Sequence, residues 1–248
     1  MTGELIGLVA AASATALATG LGAVPVLLLG GRAADLRPAL WGFAAGSMAV
    51  ASVVGLLLPA LDEGSRGTVA AGLVVGVAFL LVSRSVLAGR PEGARTLGLA
   101  GRRSSLLVFL VLLVHSLPEG LAIGTAYASS TAGLGLFVIL AIAAQNVPEG
   151  TAMAIPMAEA GESRARQFWV AVLTSAPQPV GAVLAYLLVD QVESLLPASF
   201  AFAAGAMLAL VGRELVPQAF TRSGWRGAAV GAGAGAALLL ALSAVLGV

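Results

Sequence analysis

The sequence contains no cysteine, and this absence limits the chemistry that the chain can carry. Disulfide bonds and thiolate metal sites are therefore excluded. Histidine is almost as scarce, because His115 is the only one in 248 residues. Charged residues make up only 10% of the chain, and the 13 basic residues are all arginines. The formal net charge of +1 does not indicate nucleic-acid binding.

Apolar residues are abundant: 59% of the chain is hydrophobic and the mean hydropathy is +1.00. A soluble domain of this length rarely combines these values. A membrane-spanning helix needs about 20 mostly apolar residues, and eight such stretches lie between charged or Gly/Pro-rich breaks. We number them as spans one to eight. They lie at about 5–30, 39–61, 68–88, 105–127, 132–157, 167–189, 198–219 and 225–247.

The eight spans predict an all-α membrane protein with a single transmembrane domain over residues 1–248. The first stretch has the position of a signal peptide. However, Glu4 replaces the usual positive charge there, and the apolar run continues to Gly30, beyond an ordinary signal-peptide core. We therefore interpret it as a span.

Arginines are concentrated in every second connection between spans. The connection at roughly 88–104 is the most basic, is rich in glycine and proline, and is predicted to be a mobile cytoplasmic loop. On the opposite side only Arg66 is found. By the positive-inside rule, the arginine-rich connections are cytoplasmic and both termini are extracytoplasmic. We expect a multi-pass protein of the cell inner membrane or plasma membrane.

Two spans contain similar segments. Residues 43–48 in span two read Phe-Ala-Ala-Gly-Ser-Met, and residues 202–207 in span seven read Phe-Ala-Ala-Gly-Ala-Met. Pro59 and Pro217 follow at nearly matching distances. Because the two spans run in opposite directions, the match predicts an inverted repeat of spans one to three and six to eight around central spans four and five. The alternative is that Ala/Gly-rich helices resemble each other by composition alone.

Two short motifs carry the candidate chemistry. His115 lies near the middle of span four, four residues before Glu119, so both side chains share one helix face about 6 Å apart along the axis. Span five repeats the pattern, with Gln145 four residues before Glu149. Two carboxylates, one imidazole and one amide oxygen suit a borderline divalent transition metal. The motifs therefore predict a metal site at mid-membrane.

Each motif also contains a proline inside its span. Pro118 and Pro148 each remove one helical hydrogen bond, leaving a backbone carbonyl that protein, water or an ion must satisfy in a bilayer. Taken singly, a proline kink or an intramembrane histidine is ordinary packing. Two ionised glutamates at mid-membrane each cost several kcal/mol, so their pairing indicates function.

The motif His-x-x-Pro-Glu-Gly at 115–120, followed about thirty residues later by x-x-x-Pro-Glu-Gly, resembles the ZIP (Zrt/Irt-like) metal transporters. Residues 42–48 resemble the family's second span, and Gln145 resembles its GufA-like bacterial branch. The resemblance implies an eight-helix transporter of divalent transition metals, zinc first, with iron, manganese and cadmium as other candidates. The metal ligands that it implies are Met48, His115, Glu119, Gln145 and Glu149, with Asn146 as a further candidate.

The chain also departs from this family. A second, adjacent metal site usually takes an asparagine after the histidine and a glutamate in span six, where this chain has Ser116 and Gln178. Together with Asn146, these residues give the second site no charge of its own, so we expect the chain to hold one metal ion tightly. Glu214, next to Arg213 in span seven, either guards a pathway or forms a structural ion pair. Some hydroxyls either line a path or bond helices to each other: Ser47, Ser52, Thr174 and Ser175.

Three functions remain open from the sequence. The first is transport toward the cytoplasm by alternating access, with the two repeats as the moving parts. The second is an intramembrane metallohydrolase, which the single histidine disfavours. The third is a degenerate metal-binding sensor. We expect no enzyme activity and no cofactor, with the metal as transported substrate. The expected partners are divalent metal ions and the lipid bilayer, with no nucleic acid, and a homodimer is left open.

Overall fold

The computed structural model describes residues 2–88, 103–191 and 195–248, and among these residues there are helices and turns but no strand. Seven helical stretches of the described residues are long and apolar enough to cross a membrane. Span four is a further helix of 26 residues, Arg103–Ala128, which is long enough to do so as well. The prediction of an all-α membrane protein is confirmed. The predicted loop at 88–104 falls almost entirely outside the described residues.

The spans begin and end within about three residues of their predicted positions. Spans one, two, six and seven are each divided into two helices, and the 3-10 segment Gly30–Leu36 leads into span two. The helices, in order from span one to span eight, are Thr2–Leu21 and Ala23–Leu29; Arg37–Ser52 and Leu58–Glu63; Arg66–Ala88; Arg103–Ala128; Leu134–Glu159; Arg164–Thr174 and Pro177–Gln191; Leu196–Leu210 and Val216–Ala219; and Trp225–Leu246.

Spans two and seven widen at matching places. A π-helical turn occupies Val53–Leu57 in span two and Val211–Leu215 in span seven. Each turn ends two residues before a proline, Pro59 or Pro217. Proline lacks the N–H that the carbonyl four residues earlier would accept, and its ring crowds that carbonyl, so a widened turn before it has a local cause. The shared turn supports the predicted inverted repeat.

The packing of the spans follows the same symmetry. Span two packs on span eight, and span seven packs on span three. In the predicted repeat, span two corresponds to span seven and span eight to span three, so the two contacts are equivalent. Gly46 and Gly205 lie against the backbones of Ala232 and Leu73, close enough that no side chain would fit; such contacts let helices associate in lipid. Span five is 67% buried, against 17% and 22% for spans three and eight, so it lies at the centre of the bundle.

Candidate metal centre

The two motifs lie in the central, unbroken helices. His115 and Glu119 are in the middle of helix Arg103–Ala128, with Pro118 between them. Glu149 is in the middle of helix Leu134–Glu159, directly after Pro148. Both helices continue through their prolines, and they pack against each other. The two motifs can therefore meet at one depth inside the bundle.

The glycine after each glutamate sets how closely a broken span approaches the site. A side chain at Gly120 would collide with the backbone of Gln178 in span six. A side chain at Gly150 would collide with the backbone of Thr19 in span one. Thr151, next in the chain, donates a hydrogen bond of 2.7 Å to the carbonyl of Gly22, where span one is broken. Spans one and six are thus held directly against the site.

His115, Glu119 and Glu149 form a compact cluster that we call the acidic trio. Their candidate ligand atoms all lie within 4.8 Å of one another. His115 Nε2 is 3.2 Å from Glu119 Oε1 and 3.7 Å from Glu149 Oε1. All three side chains are buried, with relative exposures of 0%, 0% and 2%. A single ion placed among these atoms could contact one nitrogen and two oxygens.

Several atoms of this cluster lack the partners that buried polar atoms normally have. Within the described part of the chain, neither nitrogen of His115 has a hydrogen bond of acceptable geometry, and Oε1 of Glu149 has none either. The short His115 to Glu119 distance is therefore a close electrostatic contact rather than a well-formed hydrogen bond. Unsatisfied buried polar atoms are costly and rare in native proteins, and binding an ion is one way in which such atoms are satisfied.

The charges point the same way. A metal ion needs its ligands deprotonated, and in that state the two carboxylates and the neutral imidazole carry a charge of about −2 in an apolar bundle, which is strongly unfavourable without compensation. A divalent cation bound by these atoms would neutralise that charge and would also supply a partner for the orphaned nitrogen and oxygen. The donor set fits a borderline transition metal better than Mg²⁺ or Ca²⁺, which prefer oxygen ligands alone.

Amide side chains line one side of the acidic trio. Gln145 Nε2 donates to Glu119 Oε1 at 2.9 Å, while its own Oε1 has no partner among the described residues. Gln178 Nε2 donates to Glu119 Oε2 at 2.7 Å. Asn146 and Gln178 are hydrogen-bonded to each other in both directions, at 3.2 and 3.3 Å. Glu119 is therefore held by two amides, one from span five and one from span six.

The structure brings most of the predicted site residues together. Met48 is fully buried on span two, in the apolar core that also contains Ile123 and Ile142 of the two central helices. Asn146 is next to the trio, but its Nδ2 donates to the carbonyl of Thr15 at 2.7 Å. Ser116 is buried and donates within its own helix, to Leu112 O at 2.9 Å.

Glu214 forms an ion pair with Arg84 of span three. Its neighbour in sequence, Arg213, is not the partner in that pair. The pair links two spans of the bundle, so the described contacts agree with the structural interpretation of Glu214. Its side chain is only 14% exposed, which makes the pairing relevant to stability.

Three of the four hydroxyl groups singled out in the sequence are bonded within their own helix, and one joins two spans. Ser47, Ser52 and Thr174 each donate to a carbonyl of their own helix. Ser175 is the exception, because its Oγ lies 2.6 Å from Thr19 Oγ1 and so joins spans six and one. Sequence reasoning missed Thr15, which contacts both Asn146 and Gln178. The available signal was that two threonines four residues apart share one face of an otherwise apolar helix.

Comparisons with known proteins agree with the geometry. A family model described as ZIP zinc transporter matches residues 89–247. The zinc transporter GufA of Myxococcus xanthus is 35% identical over 241 residues, which cover 93% of this chain and 95% of that protein. The zinc transporter ZIPB of Bordetella bronchiseptica is 34% identical over 248 residues, which cover 93% of this chain and 78% of that protein.

A longer relative is similar over most of this chain. An Arabidopsis thaliana protein named for zinc transport is 36% identical over 215 residues, which cover 84% of this chain. The chain spans only 33% of the length of that relative, whereas it spans most of the two bacterial relatives.

Proposed function

Because this chain belongs to the ZIP zinc transporter family, we propose that it carries divalent transition-metal ions across the membrane through the acidic trio. The observation that supports this site most directly is the set of unpaired ligand atoms on His115 and Glu149, fully buried between two apolar helices. Such atoms need a partner, and a divalent cation would supply one to His115 Nε2 and to Glu149 Oε1 and would neutralise the carboxylate charge at the same time.

In this proposal the ion binds His115 Nε2 and one oxygen each from Glu119 and Glu149. Gln145 adds a fourth ligand, because a half-turn of its amide would exchange the bonded Nε2 for the unpaired Oε1. Met48 adds a thioether sulfur, which its complete burial beside the central helices supports. We assign Asn146 to the surrounding amide network, since its Nδ2 and Oδ1 already have partners.

Zinc is the proposed principal substrate. One imidazole, two carboxylates, an amide oxygen and a thioether form a mixed set of intermediate softness, which zinc accepts readily. The same set can hold iron, manganese or cadmium, so we propose these as competing substrates. The metal is cargo rather than a resident cofactor, and no catalytic residue is assigned.

We propose transport toward the cytoplasm, with the chain in the cell inner membrane or plasma membrane. The unequal arginine distribution supports extracytoplasmic termini, because basic connections stay on the cytoplasmic side. The division of spans one and six supports alternating access. Both spans are broken, near Gly22 and Ser175, and in many transporters discontinuous helices form the substrate site around which the repeats move.

Zinc uptake into liposomes containing the purified protein tests this function. We expect saturable uptake by the wild type, competition by iron, manganese and cadmium, and loss of uptake in His115→Ala. Ser85→Ala is a suitable control, because the Ser85 hydroxyl is exposed and donates to the carbonyl of Val82 in its own helix. Uptake by His115→Ala equal to that of the wild type would contradict the proposed route. Binding of zinc without uptake by the wild type would instead favour the sensor.

A further inference from the structure

Gln178 is the centre of the amide network, and it is completely buried. Its Nε2 donates to Glu119 Oε2 at 2.7 Å and to Asn146 Oδ1 at 3.3 Å. Its Oε1 accepts from Thr15 Oγ1 at 2.9 Å and from Asn146 Nδ2 at 3.2 Å. Both ends of the Gln178 amide therefore have two partners, and these partners come from spans one, four and five.

The orientation of this amide follows from one backbone group. The carbonyl of Thr15 can only accept a hydrogen bond, and Asn146 approaches it at 2.7 Å, so the atom of Asn146 facing it must be Nδ2. The same Nδ2 then faces Gln178, so the atom of Gln178 that faces it must be the acceptor Oε1. Gln178 Nε2 is thereby directed at Glu119 Oε2.

Gln178 Nε2 thus fills the space between two oxygen atoms that would otherwise suit a cation. Zinc binds carboxylate oxygens at about 2.0–2.2 Å, so a metal on Glu119 Oε2 would have to displace the amide and would face its N–H donors. The other oxygen, Glu119 Oε1, lies 3.2 Å from His115 Nε2 and accepts from Gln145 Nε2 at 2.9 Å, and the proposed half-turn of the Gln145 amide would free it for the metal. Oε2 is thus held by Gln178, while Oε1 is the oxygen left for the proposed metal.

We propose that Gln178 restricts the acidic trio to a single metal ion and positions Glu119 to bind it through Oε1. This inference rests on the proposed function, because it concerns the same site. Gln178 acts through Glu119, so it is a positioning residue rather than a metal ligand.

The number of ions bound at the trio distinguishes this role from a purely structural one. We define that number by elemental analysis of zinc-equilibrated protein, as the zinc per chain that is lost in Glu119→Ala. We expect one ion in the wild type and two in Gln178→Glu. The substitution replaces the N–H donors at position 178 by a carboxylate, which would then face the oxygen atoms of Glu119 and Asn146. Gln178→Leu should keep one ion, bound about tenfold more weakly, because Glu119 loses a supporting hydrogen bond.

Gln167→Glu is the matched control, since it converts another buried amide of span six, which bonds the carbonyl of Glu162 rather than the trio. The number of zinc ions bound at the trio should stay at one in this variant. Two ions in the wild type, or one ion in a folded Gln178→Glu, would overturn the inference. If Gln178→Glu does not fold, wild-type affinity retained by Gln178→Leu would overturn it instead. If His115→Ala binds zinc as well as the wild type does, the proposed metal site itself is rejected.

Discussion

Gly120→Ala should damage the metal site without changing any proposed ligand. A Cβ at this position would lie 2.8 Å from the Cα of Gln178 and 2.9 Å from its carbonyl carbon, and closer still to its carbonyl oxygen. Carbon atoms pack best about 3.5–4.0 Å apart, so spans four and six would have to separate by about 1 Å. The hydrogen bond between Gln178 and Glu119, now 2.7 Å, would then stretch to about 3.7 Å and be lost.

Overpacking of this kind costs about 1–3 kcal/mol. For a chain of this size each kcal/mol lowers the melting temperature by about 2–4 °C, so we expect a fall of about 2–12 °C. Loss of a hydrogen bond that orients a metal ligand typically weakens binding by about tenfold or more. Thermal unfolding in detergent and calorimetric titration with zinc measure the two effects on the same sample.

Gly233→Ala is the matched control, because no atom of the described residues lies within 4 Å of a Cβ built there and the position is inside helix Trp225–Leu246. Alanine is favoured over glycine in a helix by about 0.5–1 kcal/mol, so this variant should be as stable as the wild type or slightly more stable. Equal melting temperatures and equal zinc affinities for Gly120→Ala and Gly233→Ala would refute the close backbone contact and its role at the site.

Three further predictions concern the ligands, the topology and the bundle. His115→Ala should weaken zinc binding at least about tenfold, measured by calorimetry, because the chain has no other histidine; an unchanged affinity would remove it from the site. Because the chain has no cysteine, single cysteines can be labelled without background: Arg222→Cys should react only from the cytoplasmic side and Ser130→Cys only from outside, and the reverse would overturn the orientation. Arg84→Gln should lower the melting temperature by leaving a largely buried Glu214 unpaired, and the additional change Glu214→Gln should restore part of it; additive losses would show that the ion pair contributes nothing.

The spans and the motif faces could be predicted from the sequence because both depend on local order. A run of about 20 apolar residues specifies a span whatever surrounds it. Two residues four positions apart on a helix share a face, and this rule correctly predicted that His115 and Glu119 lie close together. These features do not require knowledge of which spans are neighbours.

The contacts between distant segments could not be predicted in this way. Asn146 and Thr15 are 131 positions apart, and no local pattern specifies that spans one and five touch there. Arg213 suggested itself as the partner of Glu214 only by adjacency, although consecutive residues on a helix do not face each other. The partner is Arg84, which span three brings to span seven.

The most direct test of the central claim is to locate zinc in the protein by anomalous X-ray scattering at the zinc absorption edge, with crystals of the wild type and of His115→Ala. We predict a wild-type peak about 2.0–2.2 Å from His115 Nε2 and from one oxygen each of Glu119 and Glu149, absent from the variant. A peak that lies elsewhere in the bundle, or one that survives in His115→Ala, would contradict the assignment of these residues as the metal site.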